Sequence, residues 1–243
     1  MRFVLIGLVV LSAACVSDTT AGLAGTGRFR FVNLISDPSK QPVSANLGGA
    51  PFGSAMPFGT SSPAWVTSPL TVNYAPLSAG DRSLVLKHSA DTGVVVGVYT
   101  VTIPASRDLT AYATGGGGFS IQVTLDDNPP PQPGAIRLRI VNLSVAAGTV
   151  DLFFTAQTAD LAAATPSVTN VGFEDVSEYF TIEAGTYRVR AVRSGVAPSE
   201  RTGLNIVANI NQDTWTSGGR TIVIADNSSA GVTFATARTL TDQ

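Results

Sequence analysis

The stretch Arg28-Phe-Arg-Phe-Val-Asn-Leu-Ile35 returns in diverged form as Ile136-Arg-Leu-Arg-Ile-Val-Asn-Leu143. At one constant offset, Arg30, Val32 and Asn33 align with identical residues of the second stretch. Both stretches alternate charged and apolar residues, which is the period of a strand with one buried face and one exposed face. The chain is therefore predicted to use one strand-rich module twice.

A second pair of matching segments lies near the middle of each copy. Tyr74-Ala-Pro-Leu-Ser-Ala-Gly80 corresponds to Tyr179-Phe-Thr-Ile-Glu-Ala-Gly185, and alternating aliphatic residues follow both segments. The pattern predicts a strand, a tight turn with glycine at positive φ, and a second strand. We expect each tyrosine to bury its ring while its hydroxyl finds a hydrogen-bond partner.

Between the copies, the stretch Asp126-Asp-Asn-Pro-Pro-Pro-Gln-Pro133 interrupts the strand pattern. Prolines favour an extended, semi-rigid spacer, so we predict a linker at 129–134 between a first repeat, 28–128, and a second repeat, 135–243. About seven strands per repeat, separated by turns, are typical of a β-sandwich. The predicted fold class is all-β, with two tandem antiparallel β-sandwich domains after a signal peptide.

The N-terminus has the layout of an export signal. A positive start precedes an apolar run from Phe3 to Leu11, and small residues then lead to Cys15, the single cysteine. The apolar run is too short to span a membrane as a stable helix, and the layout predicts a signal peptide at 1–14. Leu-Ser-Ala-Ala-Cys resembles a lipobox, which implies lipidation of Cys15. Cleavage without lipidation stays open, because Ser12 stands where a lipobox has leucine.

A lipid on Cys15 makes the membrane a partner, through an N-terminal anchor followed by a flexible tether at 15–27. The expected location is therefore the bacterial cell envelope, outside the cytoplasm. Val16-Ser17 follow the cysteine, and resemblance to enterobacterial lipoprotein sorting implies the outer membrane, facing the periplasm or the surface.

The order of these motifs resembles that of a known family of bacterial domains. Arg30-Phe-Val-Asn33, the two Tyr-x-x-[Leu/Ile]-x-Ala-Gly segments and Leu125-Asp-Asp-Asn-Pro-Pro130 look like the domain of unknown function 4397. Its members are often exported, often lipoproteins, and often carry the domain in tandem. The resemblance covers nearly all of 28–243 and implies immunoglobulin-like sandwiches outside the cytoplasm. It implies no activity, because the family offers no catalytic residues to carry over.

The scarcity of histidine and cysteine excludes several kinds of site within one chain. A His/Cys metal site, a disulfide framework and a Cys–His nucleophile each need more than His88 and Cys15. No Gly-x-Ser-x-Gly motif accompanies His88, so we predict no catalytic residue, no metal and no cofactor. A net charge of −2 without a basic, aromatic-rich patch argues against nucleic acid as a partner. Calcium at Asp126, Asp127 and Asn128 stays open as a hypothesis.

The segment from Ala50 to Pro63 is rich in glycine, proline and serine and is predicted to be a long surface loop. Phe52, Phe58 and Trp65 make this region apolar, either as a ligand-binding loop or as side chains folded back onto the sandwich edge. Two functions follow. The first is a non-enzymatic envelope or surface module with a structural role or a protein partner. The alternative is a carbohydrate- or polymer-binding module that uses this loop, with an envelope glycan as partner.

Overall fold

The computed structural model describes residues 25–63, 73–115, 119–130, 132–229 and 232–242. Strands make up most of this part of the chain, and it contains no α-helix. The prediction of an all-β fold is therefore confirmed. Within the same ranges, no helix has the length and hydropathy needed to cross a bilayer.

The strands fall into two series, one on each side of the proline-rich stretch. The first series is β1 (Thr26–Leu34), β2 (Val43–Leu47), β3 (Ala50–Met56), β4 (Thr60–Ser62), β5 (Ala75–Ser78), β6 (Gly80–His88), β7 (Val95–Ile103), β8 (Asp108–Thr114) and β9 (Ser120–Asp126). The second is β10 (Ala135–Leu143), β11 (Val150–Thr155), β12 (Val168–Val171), β13 (Phe180–Glu183), β14 (Gly185–Arg193), β15 (Ile206–Trp215), β16 (Gly218–Ser229) and β17 (Val232–Thr241). Short 3-10 helices lie in the connections, at Pro38–Lys40, Pro198–Glu200 and Gly203–Asn205.

Each series forms two sheets with the same topology. The first series gives the order β4-β1-β8-β9, with β5 also paired to β1, and the order β3-β2-β6-β7. The second series gives β13-β10-β16-β17 and β12-β11-β14-β15. We call the sheets that contain β1 and β10 the inner sheets, and the other two the outer sheets. Strand β4 has no counterpart among the described strands of the second series.

Pairing in the inner sheets is mixed and not purely antiparallel. Strand β1 runs parallel to β8, and β10 runs parallel to β16, while the remaining described pairs are antiparallel. In each copy the first strand pairs with a hairpin that lies much later in the chain. This hairpin is β8–β9 in the first copy and β16–β17 in the second. Because a long excursion through the outer sheet separates the two parallel neighbours, no tight turn imposes an antiparallel direction on them.

The two Tyr–Gly segments are crossings between sheets and not hairpins. Strand β5 pairs with β1 in the inner sheet, while β6, which follows at once, pairs with β2 in the outer sheet. Gly80 has a φ of 120°, as predicted, but Gly185 has no positive φ. The predicted order of strand, turn and strand is thus present in both copies, although the two strands do not pair with each other.

The prediction of a long surface loop from Ala50 to Pro63 is wrong. Strand β3 pairs with β2 and extends the outer sheet, and β4 pairs with β1 in the inner sheet. Gly59, with a φ of 78°, provides the turn between them. The glycine and proline content was misleading, because apolar side chains such as Met56 anchor this segment to the core of the first copy.

Apolar side chains fill each of the three spaces between four stacked sheets. Phe29, Leu84 and Leu109 belong to the core between the first outer and inner sheets. The corresponding core of the second copy has the same layout. A third cluster joins the two inner sheets and consists of Val32, Leu34, Tyr112, Val141, Leu143, Val223, Ala225 and Leu240. The copies therefore touch face to face and are not held apart by the prolines, while the repeat bounds 28–128, 129–134 and 135–243 stay a prediction.

Candidate functional site

Both faces of β1 and β10 are buried. Successive side chains of a strand point to opposite faces, so Phe29 and Phe31 enter the core of their own copy while Val32 joins the cluster between the inner sheets. The expectation that the charged residues face solvent is wrong, since Arg30 and Arg139 are 0% and 1% exposed. Alternation with a period of two separates the two faces of a strand but does not show what covers each face. Here the second face is covered by the other copy.

Arg30 is bonded to both copies of the module. Its Nε donates to Thr110 Oγ1 in its own sheet over 3.1 Å. Its Nη1 donates to the carbonyl oxygen of Thr241 over 3.0 Å, and its Nη2 to Asp242 Oδ1 over 2.7 Å. One guanidinium thus connects β1 to the neighbouring strand and to the last residues of the second copy.

Arg139 makes the same set of contacts in the opposite direction. Its Nε donates to Thr221 Oγ1 over 3.0 Å, and its Nη1 to the carbonyl oxygen of Leu125 over 3.0 Å. Its Nη2 donates to Asp126 Oδ1. Each arginine therefore binds a threonine of its own copy and an aspartate of the other copy. We call these six residues the interface network: Arg30, Thr110, Asp126, Arg139, Thr221 and Asp242.

Tyrosines enclose the interface network. The Tyr74 hydroxyl donates to Asp126 Oδ2 over 2.7 Å, and its ring centroid lies 4.5 Å from the Arg30 guanidinium carbon. Tyr179 is half-buried, with the Arg139 guanidinium carbon 5.1 Å from its ring centroid. Tyr112 is fully buried beside the same charges. The prediction that Tyr74 buries its ring and bonds through its hydroxyl is confirmed.

Two arginines and two aspartates give the interface network a balanced formal charge. Burial raises the pKa of the Asp126 carboxyl, but the adjacent guanidinium groups of Arg139 and Arg30 outweigh burial, so that the pKa is lowered. The pKa of Arg139 is raised, because neighbouring Tyr112 and Asp126 outweigh the effect of its burial. Asp126 therefore stays charged in the folded protein, and the buried guanidinium groups that contact it have also left water.

Two of the three predicted ligand-binding residues, Phe52 and Phe58, pack against different parts of the protein. Phe52 packs against the core of the first copy, with its ring centroid 5.3 Å from that of Phe29. Phe58 packs against the cluster between the inner sheets, and the guanidinium carbon of Arg238 lies 5.1 Å from its ring centroid. Trp65 and the proposed lipidation site Cys15 lie outside the described residues, so their roles stay predictions.

His88 is bonded to backbone groups on both sides of its ring. Its Nε2 lies 3.0 Å from the carbonyl oxygen of Gln41, and its Nδ1 lies 3.2 Å from the backbone nitrogen of Asp91. Neither ring nitrogen is paired with a serine hydroxyl, which a serine nucleophile would require. The side chain instead holds together the end of β6 and the turn that follows it.

The three residues considered for calcium point to different partners. Asp126 belongs to the interface network, Asp127 Oδ2 accepts from Arg137 Nη2 over 2.7 Å, and Asn128 Nδ2 donates to Asp108 Oδ2 over 2.7 Å. Calcium binding needs several oxygens directed at one point. Within the described ranges, no group of three acidic, histidine or cysteine side chains has that arrangement.

A pocket of about 180 Å³ lies beside the proline-rich stretch. Its walls come from the end of the first copy, from β10 and from the start of β16, and include Asp127, Pro129, Arg137, Tyr179, Gly218 and Gly219. The guanidinium carbon of Arg137 lies 3.9 Å from the ring centroid of Tyr179. We call this cavity the linker pocket. Sequence reasoning missed it, although the paired glycines Gly218-Gly219 at the start of a strand were visible.

Comparison with known proteins gives one family match. The model of the domain of unknown function DUF4397 matches residues 66–153. No curated protein matches this chain. Among solved structures, a leucine-rich repeat protein from Bacteroides thetaiotaomicron aligns with 13% identity over 82% of this chain and 26% of that chain. Its TM-score of 0.18 is too low to support any conclusion about the fold.

The family match extends across the junction between the two copies. It begins before β5 and ends within β11, so that it joins the later strands of the first copy to the first strands of the second. Tyr74, Asp126 and Arg139 of the interface lie inside it. The resemblance inferred from the sequence motifs is thus confirmed over one continuous segment, and residues 66–153 of this chain match the domain of unknown function DUF4397.

Proposed function

We propose that the protein is a non-enzymatic, membrane-anchored module of the cell envelope, with a structural or protein-binding role. The observation that carries this proposal is the interface network. It buries two arginines and two aspartates between the inner sheets, where they join the two copies and a substrate has no access. The export signal and Cys15 in the sequence support the anchored location, and a family match without an assigned activity is compatible with it.

The interface network also supports a mechanical interpretation. An interface that holds both apolar contacts and reciprocal ion pairs keeps two sandwiches at one angle, whereas a bare linker would leave that angle free. A pair of sandwiches joined in this way is a rigid body. Such a body suits the display of a binding surface, or the spanning of a fixed distance, outside the membrane.

The anchor is tested by replacing Cys15 with alanine. In the native host, the wild-type protein is expected in the membrane fraction, and the Cys15→Ala variant in the soluble envelope fraction or uncleaved. The physical reason is that two or more acyl chains are needed for stable attachment, and Cys15 is the single residue able to carry them. Ser17→Ala serves as a matched control and is expected to fractionate as the wild type does. Membrane attachment of a cleaved Cys15→Ala variant would contradict the anchor.

Binding of carbohydrate or another polymer is the second candidate, and it rests on Trp65. Phe52 and Phe58 pack against the protein itself, so an aromatic platform in this region would depend on the tryptophan. The other tryptophan, Trp215, is 2% exposed, and its ring centroid lies 6.1 Å from that of Phe154 and 5.8 Å from that of Tyr187. Its Nε1 has no hydrogen-bond partner among the described residues, so a phenylalanine there loses no hydrogen bond.

Fluorescence quenching in the Trp215→Phe variant therefore isolates Trp65. A platform predicts strong quenching by iodide, and protection from iodide when soluble peptidoglycan fragments are added. The companion Trp65→Phe variant, in which only the buried Trp215 emits, is expected to resist iodide. Weak quenching of Trp65, or quenching that the fragments leave unchanged, would rule out the polymer-binding function for this loop.

A further inference from the structure

We propose that the linker pocket binds a small ligand through its carboxylate group, with Arg137 as the residue that binds it. This inference goes beyond a structural or protein-binding role and does not depend on it. It comes from comparing one pair of facing residues in the two copies, on the parallel strands β1 and β8 in the first and β10 and β16 in the second. In the first copy this pair includes a carboxylate, and in the second copy a cavity lies there.

In the first copy, an arginine and an aspartate stand opposite each other. Arg28 of β1 is the register partner of Asp108 of β8. The Arg28 Nε lies 2.6 Å from Asp108 Oδ1 and its Nη2 lies 2.5 Å from Oδ2, which is the two-point geometry that guanidinium and carboxylate groups favour. The backbone at this position thus presents an arginine in a suitable orientation to receive a carboxylate from the neighbouring strand.

In the second copy, the same position lacks the carboxylate. The register partner of Arg137 on β16 is Gly219. Both residues line the linker pocket. The arginine of the pair is retained, while the side chain that would occupy the space in front of it is absent. A ligand carboxylate in the linker pocket would take the place that Asp108 has in the first copy.

Arg137 is already in contact with one carboxylate, but that contact is weak and incomplete. Its Nη1 and Nη2 donate to the carbonyl oxygen and to Oδ2 of Asp127. Its Nε donates to none of the described residues. The side chains of Arg137 and Asp127 are 29% and 63% exposed, and an exposed ion pair contributes little to stability. Asp127 is therefore a competitor for Arg137. A ligand carboxylate can displace it or share the guanidinium with it.

The remaining walls indicate the size and character of the ligand. The Arg137 guanidinium lies over the Tyr179 ring, which forms one wall and holds the cation in place. Pro129 and Pro130 add apolar surface, whereas Thr181 and Gln132 offer hydroxyl and amide groups. The volume of about 180 Å³ is below the range of drug-sized ligand pockets, so the ligand is expected to be a small molecule. These features fit a small hydroxylated carboxylate, either a hydroxy acid or a sugar acid.

The linker pocket is tested by calorimetric titration of the folded protein at low ionic strength. The probes are lactate and glucuronate, which carry the carboxylate, and glucose as the neutral control. We expect both acids to bind and glucose not to bind, and the stronger of the two acids identifies the source of the carboxylate. Equal responses to glucuronate and glucose, or no response to either acid, would overturn the proposal.

Three variants assign the binding to this position. Gly219→Asp supplies the carboxylate that Asp108 supplies in the first copy, and it is expected to abolish binding without lowering the melting temperature, because Gly219 has no positive φ. Asp127→Asn removes the competitor and is expected to tighten binding by about twofold to fivefold, the equivalent of one exposed ion pair. Arg137→Gln is expected to abolish binding. Its matched control in the first copy, Arg28→Gln, should leave it unchanged, and unchanged binding by Gly219→Asp would contradict the proposed position.

Discussion

Replacing Arg139 with methionine is expected to lower the free energy of unfolding by about 3–5 kcal/mol. Arg139 is 1% exposed, and Asp126, which accepts a hydrogen bond from Arg139 Nη2, is 3% exposed. Without the arginine, Asp126 keeps its hydrogen bonds to Tyr74 and Thr110, but its nearest remaining cation is Arg30 Nη2 at 3.9 Å. A buried charge that loses its closest partner is destabilising by more than the pair itself contributes. Urea unfolding followed by far-ultraviolet circular dichroism measures the difference.

Arg137→Met is the matched control for this prediction. Arg137 lies two residues away on the same strand and also pairs with an aspartate of the first copy, but its side chain is 29% exposed. Its loss is expected to cost at most about 1 kcal/mol, the usual range of an exposed ion pair. If the two variants lost the same stability, burial would not be the reason why Arg139 matters, and the interface network would not hold the copies together.

A double-variant cycle separates the ion pair from the rest of the interface. Asp126→Leu combined with Arg139→Met is expected to be more stable than the sum of the two single losses predicts, because neither partner is then left charged and buried. Arg30 and Asp242 form the reciprocal pair with 2.7 Å between Nη2 and Oδ1, and they provide an independent repetition of the same cycle.

The sequence was sufficient to predict the strands, but not which surface covers them. The alternation in Arg28–Leu34 identifies a strand, and the asparagine near its end bonds to the local backbone. Asn33 Oδ1 accepts from the backbone nitrogen of Ile35 over 3.2 Å. Asn142 repeats this contact with Ser144 over 3.1 Å. Such contacts depend on neighbours in the chain. For that reason a single sequence contains enough information to predict them.

The interface network could not be derived in the same way, because a period of two does not distinguish solvent from a second sheet. Arg30 has the polarity of an exposed residue and is buried only because the other copy is present. One signal was available. Arginine recurs at the same position in both copies, and an aspartate recurs at the end of the last strand, Asp126 in one and Asp242 in the other. Paired recurrence of opposite charges in a duplicated module is compatible with reciprocal contact between the copies.

The linker pocket also follows from a comparison within the chain, but only after the register is known. Asp108 and Gly219 are 111 positions apart, whereas Arg28 and Arg137 are 109 positions apart, so the sequence alone does not align the two sites. The parallel ladders of the inner sheets show that they are equivalent. A cavity left by a missing side chain is a property of packing between strands that are distant in sequence, and residue patterns do not contain it.

Alkaline pH is expected to destabilise the protein by about 2–3 kcal/mol between pH 10 and pH 11, through the tyrosines around the interface network. Burial raises the pKa of Tyr74, more than the nearby positive charge of Arg30 lowers it. Burial likewise raises the pKa of Tyr112, against the effect of Arg139, and that of the half-buried Tyr179. In the unfolded chain the same three phenols lose their protons near their ordinary pKa of about 10.

The sign of this effect follows from the number of bound protons. Above about pH 10 the folded protein keeps protons that the unfolded chain has released, so a rise in pH favours unfolding. For each tyrosine the slope approaches about 1.4 kcal/mol per pH unit as the unfolded phenol becomes fully ionised. Below about pH 9 the three phenols are protonated in both the folded and the unfolded state, so they do not make stability depend on pH. Tyr179 is only partly buried and contributes less than the other two, which sets the lower end of the expected range.

Tyr112→Phe isolates one of the three contributions. The Tyr112 hydroxyl is buried and has no hydrogen-bond partner among the described residues, so its removal is expected to leave stability at pH 7 unchanged or slightly higher. The variant should nevertheless lose less stability than the wild type, by about 1 kcal/mol between pH 10 and pH 11, because its folded and unfolded states differ by one bound proton fewer. Urea unfolding at pH 7, 10, 10.5 and 11 gives both quantities. A slope equal to that of the wild type would mean that Tyr112 ionises at its ordinary pKa, and therefore that water reaches the space between the inner sheets.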